Sequence, residues 1–185
     1  MQGVFNAIAD KQEDRVCYVN IGQSMEQIYQ CFIEGGYDNY DRDQHDDLFL
    51  GRKIRWGSYG DPAAIPIPIM KHINKLVDGW TGYSHQLLSI RRRRADSLAK
   101  FLMCSCGDLL EYAEAQSRGY RAFLTVPAKF EGQIEDCIEC PHYTHGVQCK
   151  DCRLCSGLES QAKNILVKAH GSWGIGNHQW DISIA

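Results

Sequence analysis

Short apolar runs alternate along this chain with longer stretches of helical periodicity, a pattern that predicts an α/β fold with a largely parallel sheet. Residues 16–21 read as a strand closed by Gly22. Ser24 then caps a helix whose apolar stripe is Met25, Ile28, Tyr29 and Phe32, and Gly35 and Gly36 stop it. The acidic stretch up to Asp47 has no clear period and reads as a surface connection. Residues 54–58 predict a second strand, and a helix follows through Ile69, Ile73, Leu76 and Val77. Residues 80–86 predict a short third strand, 95–100 a weak helix and 101–105 another strand. Asp108 caps a helix over 109–118 that ends at Gly119, and 122–126 form a strand ended by Pro127. Residues 164–169 are the last predicted strand.

Five or six strands joined by helices or long connections, with right-handed crossovers, give a partial (β/α) barrel or an open, mostly parallel sheet. A single domain over 1–185 is expected, with a cysteine-rich insertion at 128–163 before the last strand. In either architecture ligands sit beyond the carboxyl ends of the strands. That placement makes Asp61, His85 and His170 candidate catalytic groups. Each also has a plain structural reading: Asp61 before Pro62 as a turn initiator, the histidines as hydrogen-bonded framework. Cys104 and Cys106 are expected to alternate on their strand, with one facing the core.

Composition narrows the classes. The 44% apolar and 23% charged residues are those of a globular chain, and no run approaches the roughly 18 apolar residues that span a bilayer. The amino-terminal residues lack the basic flank and apolar run of a signal peptide, so a soluble protein of the cytoplasm is expected. A net charge of −3 provides no global field for nucleic acid or membrane. Locally, Arg91, Arg92, Arg93 and Arg94 form a basic run that can meet phosphates or a protein partner, or simply open a helix.

The nine cysteines are unevenly placed. Cys137, Cys140, Cys149, Cys152 and Cys155 fall close together, and the last four have the spacing C-x8-C-x2-C-x2-C. Two intervening residues let a turn aim consecutive sulfurs at one centre, and thiolates are soft ligands. Cys140, Cys149, Cys152 and Cys155 are therefore the predicted metal ligands, for a [4Fe–4S] cluster or for zinc. Cys137 reads as a spare, and His142 and His145 as neighbours of the site. A metal here would order a long insertion that has little apolar content of its own.

The segments GSYGDPAAIP (57–66), WTGYSHQ (80–86), LMCS (102–105), EAQSRGYRAF (114–123), ECP…CKDCRLCSG (139–157) and AHG (169–171) resemble, in this order, a protein family encoded by bacteriophages and plasmids. The resemblance covers residues 16–171. That family is itself similar to a degenerate radical-SAM-type barrel, and its members usually open with a cysteine-rich stretch that looks like a cluster-binding motif. Here only Val16, Cys17 and Tyr18 match that opening. One thiolate cannot supply a radical-SAM cluster, which needs three. The resemblance thus implies a mobile-element origin and a barrel-like fold. The expected function is an accessory binding, inhibitory or virion-associated metalloprotein in the host cytoplasm. The alternative is a radical-SAM-like or other iron–sulfur enzyme acting on a nucleotide or nucleic acid.

Overall fold

Six parallel strands form one open sheet in the order β1-β2-β3-β4-β6-β5, in a computed structural model that describes residues 24–58 and 60–169. The strands are β1 (Lys53–Trp56), β2 (Gly79–Ser84), β3 (Met103–Cys106), β4 (Ala122–Val126), β5 (Cys137–Glu139) and β6 (Asn164–Lys168). The helices are α1 (Ser24–Ile33), α2 (Arg42–His45), α3 (Ile67–Leu76), α4 (Arg92–Leu98), α5 (Leu109–Ser117), α6 (Pro141–His145) and α7 (Cys149–Cys152). The predicted α/β class with an open parallel sheet is what the chain adopts. The predicted strand at 16–21, Cys17 and His170 lie outside the described residues.

The described residues fall into two units, one within 41–126 and 131–167 and the other made of 24–40, 127–130 and 168–169. In the second of these, α1 ends where the Gly36 N–H bonds the Cys31 carbonyl at 2.8 Å, and Tyr29, Phe32 and Ile33 stay exposed. The first unit carries the sheet up to Val167 and the whole cysteine segment.

Strands β1 to β4 are neighbours in sequence order, with α3, α4 and α5 between them, so right-handed crossovers place those helices on one face. Register defines the opposite face. Tyr83 pairs with Met103, Ser105 with Phe123, and Ile138 with Ile165, and these share a side of the pleat. On that face Met103, Ile165 and Val167 form a buried cluster packed by Tyr83, Phe123, Ile138, Cys140, Leu154 and Cys155. The cysteine segment is thus the cover of the sheet's second face. Every residue of β3 is buried as a result, the signature of a central strand covered on both sides.

Strand order explains why the segment lies there. From β1 to β4 the chain moves in one direction across the sheet, but β5 occupies the edge and β6 returns inside it. A right-handed crossover taken backwards must pass over the face opposite the helices. The 24 residues between Glu139 and Asn164 make that passage.

Three sequence expectations change. The acidic stretch is not an irregular connection: Asp41 Oδ1 accepts the N–H groups of Asp43 (2.9 Å) and Gln44 (3.2 Å) and starts α2, and a 3-10 turn over Asp46–Leu48 follows. Cys104 and Cys106 are both fully buried. Residues two apart on a strand share a face, so alternation never separated them. Finally, α4 begins at Arg92, so the arginine run forms its first turn.

Candidate metal centre

Cys140 stands at the end of β5, where its N–H bonds the Leu166 carbonyl at 2.9 Å and extends the ladder by one residue. Pro141 then opens α6, a position where a missing N–H costs nothing, and Gly146 closes it in the left-handed region at φ 68°. Burial pushes the Cys140 thiol up, the N–H groups of His142 and Tyr143 oppose by favouring its thiolate, and the charges of Cys149 and Cys152 add to the rise.

Cys149 and Cys152 open and close the single turn of α7, a separation that places them on one helical side. Arg153 then adopts φ 54°, in the left-handed region that non-glycine residues rarely enter. That reversal sends the chain back toward Cys155, whose carbonyl accepts the Gly82 N–H at 2.8 Å. Arg153 is held by its own side chain, which donates to the Asp78 carbonyl at 2.6 Å. The Cys155 thiol is pushed up to about 12, chiefly by burial and then by the charges of Cys140, Cys149 and Cys152, with Arg121 pulling the other way.

The charges of the other three predicted ligands all push the Cys155 thiol in the same direction. Among the described residues, no three His, Cys, Asp or Glu side chains are drawn in to a common coordination point. Cys137 is directed elsewhere. Its thiol donates to the Tyr112 hydroxyl at 3.4 Å, and burial, with Asp136 adding, raises its pKa. The histidines of α6 are engaged locally, His142 Nδ1 3.3 Å from the Val147 carbonyl and His145 Nδ1 2.6 Å from the Thr144 hydroxyl.

The segment is moored along the amino ends of the strands. Leu158 and Glu159 donate their N–H groups to the Ala99 and Lys100 carbonyls at 2.9 and 3.0 Å. Gly157, at φ 67°, sits so close that a Cβ there would lie 2.6 Å from Ala99 O and from Leu102 N. Arg121, just before β4, supplies three further bonds: Nη1 to the Leu154 and Gly157 carbonyls (2.8 and 2.9 Å) and Nη2 to the Lys163 carbonyl (2.5 Å). Arg121 is the residue that sequence reasoning missed. Its signal was a lone cation at the start of an apolar strand.

Two other candidates meet at the carboxyl ends of β2 and β3. Asp61 caps a 3-10 turn over Pro62–Ala64, and its Oδ1 accepts the Ala63 N–H (2.8 Å) and the Ser84 hydroxyl (2.6 Å). Its Oδ2 accepts the backbone N–H of His85 at 2.9 Å. The His85 ring is exposed, with Nε2 3.2 Å from the hydroxyl of buried Ser105. The arginine run divides in two. Arg92 bonds Asp96 at 2.8 Å, and Arg94 donates to the Ala63 and Ile65 carbonyls at 2.6 and 3.2 Å, whereas Arg91 and Arg93 are exposed.

No protein-family model, curated protein or solved structure matches the chain.

Proposed function

We propose that this chain is a thiolate–metal protein of a phage or other mobile element, acting in the host cytoplasm by binding a partner. In this reading Cys140, Cys149, Cys152 and Cys155 hold a [4Fe–4S] cluster or a zinc ion. The observation that carries it is the placement of the four cysteines on one moored segment: Cys140 and Cys155 pack against the same buried cluster of the sheet, and the single turn of α7 puts Cys149 and Cys152 on one helical side. Four thiolates so placed repel one another, and a bound cation turns that repulsion into coordination. The donor set fits either metal, since both take four thiolates. The backbone N–H groups of His142 and Tyr143 favour the Cys140 thiolate, as suits a ligand sulfur that carries charge. The mobile-element setting comes from the family resemblance.

The preference for binding over catalysis rests on Asp61. Framework donors take both acceptor sites of its Oδ1 and one of the two on Oδ2, so most of its accepting capacity is spent on holding the turn and the end of β2. Among the described residues no helix is long and apolar enough to cross a membrane. The metal, once bound, would fasten the sheet cover, and the exposed Arg91 and Arg93 offer charge to an acidic partner or a phosphate backbone.

Anaerobic purification tests the centre directly. Brown protein absorbing near about 400 nm, with iron and acid-labile sulfide, is the outcome expected for the cluster; colourless protein with one equivalent of zinc is expected for the alternative. Cys152→Ser should lose either metal. Wild-type protein that carries neither, and takes up neither on reconstitution, sinks the proposal.

A further inference from the structure

Arg121 is a buried cation, 7% exposed, and among the described residues no carboxylate lies within ion-pairing distance of it. Its Nη atoms reach only carbonyls, and its Nε has no partner at all. A buried charge normally demands an opposite charge, because the carbonyl dipoles recover only part of the lost hydration. The residues it grips identify where that opposite charge lies. Leu154 and Gly157 bracket Cys155, so the guanidinium is fastened to the backbone on both sides of that cysteine. Register agrees, since Arg121 and Phe123 share the face that the cysteine segment covers.

Resting on the thiolate centre proposed above, we infer that Arg121 is the counter-cation of that centre, and that the centre is a dianion held by all four cysteines. Four thiolates around a divalent zinc sum to minus two, and four around a [4Fe–4S] core in its dipositive state sum to the same value. The inference is therefore common to both metals. A centre with three thiolates and an open position would need less compensation. Arg121 also explains the amino-end mooring: one guanidinium neutralises the centre and pins the backbone on both sides of Cys155 through a fixed fork of donors. It is a positioning residue, acting on the metal through the ligands.

The test separates the charge from the clamp. Wild type, Arg121→Met and Arg121→Lys are loaded with cobalt(II) as the probe, and transfer of the metal to excess EDTA is timed. R121M removes the charge at similar volume and should release metal at least about 10-fold faster, the usual scale for loss of a partner behind a metal ligand. R121K keeps the charge but not the fork, and should stay within about threefold of wild type if neutralisation dominates. Equal acceleration in both variants overturns the counter-cation role, because the carbonyl clamp alone would then account for the effect. If R121M does not fold, a tenfold acceleration in R121K overturns it equally. Wild-type protein that binds no cobalt(II) removes the centre itself, a result distinct from a wild type that binds one equivalent and an R121M that holds it as tightly.

Discussion

Asp61 collects three donors onto two oxygens, so its chemistry can be separated from its framework role by one atom. In Asp61→Asn, one carboxylate oxygen becomes an amide NH2. Whichever way the amide turns, a donor then faces the N–H of His85, or faces the N–H of Ala63 and the Ser84 hydroxyl. Leaving such groups unpaired costs about 1–3 kcal/mol, so D61N should lower the thermal midpoint by several degrees while the metal content stays that of wild type. An unchanged midpoint would return Asp61 to the list of catalytic candidates. A second pair gives a pH signature. The Tyr120 hydroxyl donates to Asp96 Oδ1 at 2.6 Å, and Arg92 donates to the same oxygen at 2.8 Å. Asp96 is held below the ordinary carboxylate range, first by the Tyr120 hydroxyl and then by Arg92, while burial and then Asp96 push Tyr120 up to about 12. The lowered carboxyl contributes stability above its unfolded value, and that contribution is lost as pH falls through the folded one. The raised phenol contributes below its ordinary value near about 10, and its share is lost as pH rises toward about 12. Tyr120→Phe should therefore be least stable relative to wild type near neutrality, with the gap closing in acid and in alkali. Urea midpoints at three pH values decide it, and a gap that is constant across them refutes the pairing.

At the scale of elements, what could be read from the sequence is what local chemistry controls. β4 coincides with its predicted range, and Asp108 does cap α5, accepting the Glu111 N–H at 2.8 Å. The helix through Ile69 and Ile73 is α3, with Met70 and Ile73 buried. What escaped was set by partners distant in sequence. β5 is only three residues long, polar at its end, and is a strand because β6 pairs with it. The four cysteines stood out as proposed ligands because Cys-x2-Cys spacing is a local signal, whereas whether their sulfurs converge depends on the fold, and among the described residues no three such side chains are drawn to one point. Arg121 did not stand out, since nothing in residues 114–123 says that the carbonyls it binds lie 33 to 42 positions away. The expectation that the polar candidates converge beyond the carboxyl ends was half met. Asp61 and His85 do meet there, while the cysteine segment folds back over the sheet and is moored at the amino ends.

For the larger unit as a whole, the reversal of direction at β5 and β6 makes the cysteine segment, among the described residues, the cover of the Met103, Ile165 and Val167 cluster. The other face has helices with their own buried residues, such as Leu98 and Ala115. The segment has little comparable apolar surface: its described contributions are Cys140, Leu154 and Cys155 beside a few backbone hydrogen bonds. Burial that small does not offset the ordering entropy of 24 residues at about 1–2 kcal/mol each, and in the proposed reading a bound metal supplies the difference. Removing it by chelation, or substituting Cys152→Ser, should release the cover without melting the sheet. Helical circular dichroism should then change little, a hydrophobic dye should bind the uncovered face, and proteolytic cuts should concentrate between residues 140 and 163. Cuts spread evenly through the chain would mean that the centre holds the whole fold together. Unchanged protection would mean that hydrogen bonding alone suffices, and that the segment needs no metal to stay in place.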